Sequence, residues 1–279
     1  MSGNPLVWTW NVDPILAPGF PPLRIYGLLA AFAIVGGFLL FRWQMLRAGH
    51  DEVTTTLALP IGLVSLIVGA RLGHCIAYDL FRCFHPPWRV LAIWQGGLAS
   101  HGALVGLLLA LPLYARRHRL SFVDLLDRLA FGGAWGVLCV RVGNFFNSEI
   151  VGRPTSGTWG VRFLRFDHGL ALTQIPPRHP VQLYEALLGL GILTLFLLID
   201  RRQGETRPRG LLASLFFLLY FGGRIALEPF KARLVLPSDA IFSMGQLLSF
   251  GPTLLGLMGL IAIARRAHQG QSRDKTMTK

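Results

Sequence analysis

The chain has 279 residues, of which 52% are hydrophobic and 15% charged, and its mean hydropathy is +0.50. A water-soluble domain carries about 25% charged residues, so this composition excludes an ordinary soluble protein. The formal net charge of +13 sits in short segments between apolar runs, which argues against nucleic-acid binding and for the arginine surplus of a membrane protein.

Residues 1–20 lack a basic segment followed by an apolar core, so they do not read as a cleavable signal peptide. The first apolar run then serves as its own insertion signal. Seven spans are predicted, at 25–41, 53–78, 91–115, 129–146, 181–199, 210–227 and 241–264. Most approach the roughly 17–25 residues that cross a bilayer core. The fourth, fifth and sixth hold charged residues, and hydropathy marks them weakly. An odd count puts the termini on opposite sides. Lysine and arginine number 14 in the connections and tail on the C-terminal side and nine on the other, which predicts a cytoplasmic C-terminus and an outer N-terminus.

The connection at 148–180 is rich in Gly, Pro and aromatic residues and too long for a plain turn, so a folded outer segment is expected. Residues 267–279 read as a polar, disordered cytoplasmic tail after a single membrane domain over 1–266. The expected fold is all-α: a polytopic membrane protein with about seven transmembrane helices and a folded outer loop segment. Cys75, Cys83 and Cys139 show neither metal spacing nor a disulfide framework. Cys75 and Cys139 lie in apolar context and read as core residues. No cofactor motif or metal-ligand set appears, so neither cofactor nor metal is expected.

A charge placed mid-bilayer costs at least about 2.5–3.5 kcal/mol and needs a partner, a wet cavity or a ligand. In the fourth span Arg141, Asn144 and Ser148 fall on one helical face at i, i+3 and i+7. A guanidinium fork, an amide and a hydroxyl together suit a phosphate or head group. The alternative is an Arg141 that snorkels outward or pairs with Glu149. In the sixth span Tyr220, Arg224 and Glu228 share a face at i, i+4 and i+8, and Gly222 and Gly223 admit a close neighbour. A simple intrahelical ion pair explains the same spacing. In the third span His101 stands among small and apolar residues, as a general base or as a hydrogen-bonded core histidine, while Gly102 and Gly106 suit helix packing. His179 and Glu185 at the start of the fifth span admit a structural or a functional reading. Tyr26, and Arg71 with His74, are weaker candidates. No serine nucleophile motif is present. Such a set suits arginine-bound phosphate. It also suits an anion or lipid transporter, although a transporter usually shows repeat halves or paired broken helices, and no internal repeat is visible.

Five of these segments, in order, resemble the prolipoprotein diacylglyceryl transferase family over nearly the whole chain. The strongest is Arg141-Val142-Gly143-Asn144-Phe145-Phe146-Asn147-Ser148-Glu149-Ile150-Val151-Gly152-Arg153. The others are His101 in its Ser-His-Gly setting, His179-Pro180-Val181-Gln182-Leu183-Tyr184-Glu185, Gly223-Arg224 with Glu228, and Ser243-Met244-Gly245-Gln246. The resemblance implies transfer of a diacylglyceryl unit from phosphatidylglycerol to the thiol of a lipobox cysteine in a prolipoprotein signal peptide, with glycerol phosphate leaving. It implies a bacterial inner-membrane enzyme with seven spans and an outer N-terminus, and a monomer is expected. Catalytic positions then fall on His101, Arg141, Asn144, Glu149, Arg224 and Glu228, and substrate-binding positions on Tyr26, Arg141, Gly152, Tyr220 and Arg224. His101 is the expected base, with base and orienting roles exchangeable among the acids. Two positions depart from the family pattern: Ser148 stands where glycine is more usual, and Pro229 follows Glu228.

Overall fold

The computed structural model describes residues 7–19, 23–77, 79–93, 97, 99–232 and 242–277; the side chains of Arg82, Ser100, His101, Leu104 and 270–277 lie outside that description. Among the described residues six helical stretches are long and apolar enough to cross a membrane: Ile25–Arg47, Glu52–Ala77, Phe122–Phe146, Val181–Thr206, Leu211–Phe230 and Met244–Gln269. The chain is all-α in its membrane part, as the composition requires. It packs as two units, one formed by Met1–Phe41 with Leu126–Lys279 and the other by Arg42–Leu125.

In the larger unit the first part of α1 (Ile25–Arg47) joins α5 (Phe122–Phe146), α6 (Val181–Gln203) and α9 (Met244–Met277). The sixth span is composite. It runs through α7 (Leu211–Phe216), a π-helical turn at Phe217–Phe221, α8 (Gly222–Leu227) and a 3₁₀ turn at Glu228–Phe230. Phe131 and Ala134 of α5 pack against Ile192 and Phe196 of α6 and Leu212 of α7. Lipid tails are as apolar as leucine, so close backbone approach replaces the hydrophobic drive between helices. A Cβ on Gly189 would lie 3.0 Å from the Leu138 nitrogen, and one on Gly37 would lie 3.4 Å from Gly132 Cα. The start of the sixth span is capped from α5: the Asp127 carboxylate accepts the N–H groups of Gly210 at 2.6 Å and Ala213 at 2.8 Å.

The expected folded segment exists. Strand β1 (Trp8–Trp10) pairs in parallel with β4 (Val161–Phe163), and β2 (Ile15–Ala17) pairs antiparallel with β3 (Leu23–Arg24). Trp10, Phe145, Val151, Val161 and Phe163 form its core. Arg178 clamps Asp167 with both arms of its fork, at 2.9 and 2.7 Å.

In the smaller unit α2 (Glu52–Ala77) packs on α4 (Ser100–Arg117) through glycines on both faces. A Cβ on Gly106 would lie 3.0 Å from Gly69 Cα, and one on Gly102 would lie 2.8 Å from Gly73 Cα. This is the packing role expected of Gly102 and Gly106.

Three expectations need correction. The third span does not begin at 91. After α3 (Leu80–Phe84) and a 3₁₀ turn at Pro87–Leu91, the next α-helix of the described chain begins only at Ser100, with Gly97 in the left-handed region at φ 72°. Hydropathy reads an apolar loop and an apolar span alike. The 18 residues of α4 reach about 27 Å, close to a hydrocarbon core. Second, Cys75 and Cys83 form a disulfide. The chain folds back from α2 into α3 and brings their Cα atoms to 5.5 Å, within bonding range. Cys139 is buried and free, as expected. Third, the tail is not disordered over its whole length, because α9 carries helical backbone to Met277.

Candidate active site

The end of α5 is fixed by its own backbone. The Glu149 N–H bonds the Asn144 carbonyl at 2.9 Å and the Ser148 N–H bonds that of Phe145 at 3.0 Å, with Ser148 left-handed at φ 55°. This double closure with a left-handed residue just past the helix normally takes glycine, which explains the departure noted at Ser148. It also takes Ser148 off the helical face on which its spacing placed it. Ile150 is left-handed too, at φ 55°, a costly conformation for a β-branched residue.

Arg141 lies five residues before Phe146, about 7.5 Å below the helix end. It is buried, and its Nε pairs with the fully buried Glu185 carboxylate of α6. Its Nη1 donates to Asn144 Oδ1 at 3.3 Å, and Asn144 Nδ2 donates to Glu149 Oε2 at 3.3 Å. Arg141 therefore neither snorkels nor pairs with Glu149. Glu149 is held by Asn144 and by Asn147 Nδ2 at 3.3 Å, and its backbone carbonyl accepts Gln182 Nε2 at 2.8 Å. The Tyr26 ring lies against Gly143, where a Cβ would come within 2.9 Å of Tyr26 Cδ2. That places Tyr26 beside the Arg141–Asn144 turn.

On the sixth span Arg224 Nη1 donates to the Tyr220 hydroxyl at 3.3 Å, one turn away. The π-helical turn at Phe217–Phe221 ends just before Arg224, and such bulges often mark functional sites. Among the described residues the buried Arg224 Nε meets no hydrogen-bond acceptor, and Ser148 Oγ and Gln182 Oε1 are buried without partners. Glu228 does not form the intrahelical pair with Arg224 that its spacing allowed. Pro229 turns the chain into the 3₁₀ turn, and Lys231 swings back to Glu228 Oε2 at 2.8 Å. Ser243 Oγ donates to Glu228 Oε1 at 2.8 Å.

Lys231 also reaches Glu185 Oε1 at 2.7 Å. A continuous chain of charges thus runs from Arg141 through Glu185 and Lys231 to Glu228. Lys231 is one of the nine basic residues counted on the N-terminal side and was not singled out, and Glu185 was left open. The available signal was the i, i+3 spacing of Glu228 and Lys231 around Pro229. Ser243-Met244-Gly245-Gln246 is a reciprocal cap for α9. The Gln246 N–H bonds Ser243 Oγ at 3.1 Å and the Ser243 N–H bonds Gln246 Oε1 at 3.0 Å. Gly245 faces the Glu228 carboxylate, which leaves no room for a side chain.

Gly152 occupies a scaffold position. Its N–H bonds the His179 carbonyl at 3.0 Å, and a Cβ there would lie 2.6 Å from His179 Cβ and 2.8 Å from the Phe230 oxygen. The flanking bonds, Arg153 N–H to Phe230 and Ala232 N–H to Val151, seat Lys231 opposite Gly152. His179 is buried, with Nδ1 at 3.2 Å from the Tyr184 hydroxyl. Burial, and then the nearby Arg153, push its pKa below the ordinary 6.5.

His101 is the second residue of α4; its side chain lies outside the described residues. The larger unit links Tyr26, Arg141, Asn144, Glu149 and Glu228 through the contacts above, and carries Tyr220 bonded to Arg224 on the span that leads into Glu228. No group of three or more His, Cys, Asp or Glu residues that could hold a metal occurs among the described residues. Arg141 held by the Glu185 carboxylate, and Arg224 with a buried Nε that meets no acceptor among the described residues, are equipped to hold an anion and to stabilise charge leaving on oxygen.

The family model for prolipoprotein diacylglyceryl transferase matches residues 15–262. A phosphatidylglycerol–prolipoprotein diacylglyceryl transferase of Tolumonas auensis is 37% identical over 259 residues, covering 92% of this chain and 97% of the relative. Proteins of the same name from Porphyromonas gingivalis and Geobacter sulfurreducens are 36% and 35% identical, each over 92% of this chain and over 95% and 97% of their own lengths.

Proposed function

Because the chain belongs to the prolipoprotein diacylglyceryl transferase family, we propose that it moves the diacylglyceryl unit of phosphatidylglycerol onto the lipobox cysteine thiol of a prolipoprotein signal peptide. It is a multi-pass membrane transferase of lipoprotein biosynthesis. The substrate brings the nucleophile, so the buried Cys139 has no part to play. The thiol sulfur forms a bond to the glycerol carbon that bears the phosphodiester oxygen. That C–O bond breaks, and glycerol phosphate departs with the bonding pair. A thiol pKa near 8.5 calls for a base at neutral pH, and we assign His101 to that role from its chemistry.

The observation that carries this reading is the Arg141–Glu185 pair together with the unspent Arg224 Nε. Arg141 and Arg224 hold the phosphodiester and stabilise the charge on the departing phosphate. Asn144 and Tyr220, each bonded to one of these arginines, orient the forks. Glu149 fixes Asn144, and Glu228 stands behind Arg224. Tyr26 covers the Gly143 turn, and Gly152 supports the wall.

The orientation we infer is an outer N-terminus and a cytoplasmic C-terminus in the inner membrane, with a monomer as the working unit. The arginine count supports it, and so does the Cys75–Cys83 disulfide at the end of α2 that this orientation exposes to the oxidising side.

Membranes holding the protein, supplied with phosphatidylglycerol and a lipobox peptide, are expected to yield a thioether-linked diacylglyceryl peptide and glycerol phosphate by mass spectrometry. A transporter would leave both substrates chemically unchanged. Near wild-type turnover in both Arg141→Ala and Arg224→Ala would remove the phosphate clamp.

A further inference from the structure

We propose that Lys231 is a positioning residue of the phosphate site, whose ammonium holds the Glu185 and Glu228 carboxylates and keeps the site's charge open to an anionic lipid head group. The inference rests on the phosphate-clamp reading and adds a residue that this reading does not use.

Lys231 sits just beyond the sixth span, its side chain 10% exposed, with Nζ 2.7 Å from Glu185 Oε1 and 2.8 Å from Glu228 Oε2. Both oxygens are fully buried, and no other hydrogen-bond donor reaches them among the described residues. Each carboxylate turns its second oxygen elsewhere: Glu185 Oε2 to Arg141 Nε, and Glu228 Oε1 to Ser243 Oγ. Arg224 feels the charge of both carboxylates without bonding either one. The single ammonium therefore couples the acid that orients Arg141 to the acid that stands behind Arg224.

Formal charge gives the second argument. Arg141 and Lys231 bind the Glu185 and Glu228 carboxylates, with Arg224 on the same span, three cations against two enclosed carboxylates, while Glu149 is exposed to water. Without Lys231 the cluster loses the positive charge that favours an anionic phosphodiester. In a site of low dielectric the loss of an opposite charge weakens binding strongly. Buried carboxylates that lose their cation also turn toward the nearest remaining donors, here the two arginines, and use the N–H groups meant for phosphate.

The backbone is built to put Lys231 there. Pro229 ends the span in a 3₁₀ turn, and the pairing of Lys231 with Gly152 fixes the strand direction. The crowding of Gly152 between His179 and Phe230 gives that glycine a purpose: it lets the segment carrying Lys231 lie flat.

The test uses the full-length protein in phosphatidylglycerol-containing membranes, with KM for the lipid and kcat measured separately. Lys231→Met is expected to raise KM for phosphatidylglycerol about tenfold or more while kcat stays within about threefold. Lys231→Arg is expected to keep KM within about threefold of wild type. Lys231→Gln, which keeps a hydrogen-bond donor but removes the charge, is expected to raise KM as Lys231→Met does. A purely structural role predicts the opposite, a Lys231→Gln variant with KM within about threefold of wild type. A wild-type KM in Lys231→Met or in Lys231→Gln overturns the proposal. If Lys231→Met does not fold, Lys231→Gln decides alone: a raised KM supports the proposal and a KM near wild type rejects it. Loss of turnover in the arginine variants alongside a wild-type KM in Lys231→Met would reject Lys231 and leave the clamp standing.

Discussion

Arg71 in the smaller unit is buried and Arg224 in the larger one is partly buried, both near the end of an apolar helix, yet their donors are spent differently. Arg71 gives its Nε to the Val90 carbonyl at 2.9 Å, Nη2 to Arg89 at 2.6 Å and Nη1 to Gly97 at 3.2 Å. Irregular backbone at membrane depth survives only where its polar groups are met by protein, and Arg71 meets three of them. Among the described residues Arg224 bonds the Tyr220 hydroxyl and keeps a buried Nε unused. A buried charge by itself marks nothing. Its unspent donors separate a ligand-binding arginine from a strut.

The comparison breaks if the two arginines fail in the same way. Arg224→Ala is expected to cost about 2–5 kcal/mol in transition-state binding, a loss of about 30-fold to several thousand-fold in kcat/KM, with little change in thermal midpoint in detergent. Arg71→Met is expected to do the reverse, lowering stability by about 3 kcal/mol. Comparable thermal midpoints in the two variants would collapse the distinction. Cys75→Ser opens the short loop that the same helix end holds closed. A loss of about 2–3 kcal/mol is expected from loop entropy, and thiol labelling of unreduced wild-type protein should reach neither Cys75 nor Cys83.

His179 extends the comparison to pH. Its folded pKa lies below 6.5, so the unfolded chain takes up a proton that the folded one resists. Stability from this group is full above pH 6.5 and falls as pH drops below it, by less than about 1.4 kcal/mol per pH unit. His179→Gln should flatten the acid side of a plot of thermal midpoint against pH, and an unchanged slope would locate the effect elsewhere. The smallest effect belongs to Ser148. Ser148→Gly relieves a left-handed residue and should raise stability by about 1 kcal/mol; a drop would mean that the hydroxyl has a binding role.

Periodicity made Arg141, Asn144, Tyr220 and Arg224 legible, because each shares a face with a neighbour on its own helix. The apolar runs gave most spans within a few residues for the same reason. Cross-element partners leave no periodic trace. Glu185 meets Arg141 from another helix, and Lys231 meets both acids only after the chain has left the sixth span. The Schellman closure that takes Ser148 off its face is a backbone event, visible in sequence only as an unusual residue at a glycine position. The segment before Ser100 looked like a span because hydropathy counts side chains and cannot register irregular backbone whose Arg89, Val90 and Gly97 carbonyls are met by Arg71. The disulfide was missed because two cysteines eight residues apart form no recognisable framework without the fold-back into α3.

Strand β1 has a consequence for how the molecule is made. Its partner lies far along the chain, with Trp8 opposite Val161 and Trp10 opposite Phe163. At about 5–20 residues per second, the ribosome delivers β4 roughly 8–30 s after β1. For that interval a tryptophan-bearing edge has no strand to join, and the first helix must hold its place without the tether. Whatever shields β1 during those seconds, be it the lipid interface or a chaperone, acts before any substrate does. A tag fused ahead of Trp8 would burden assembly first and catalysis only afterwards.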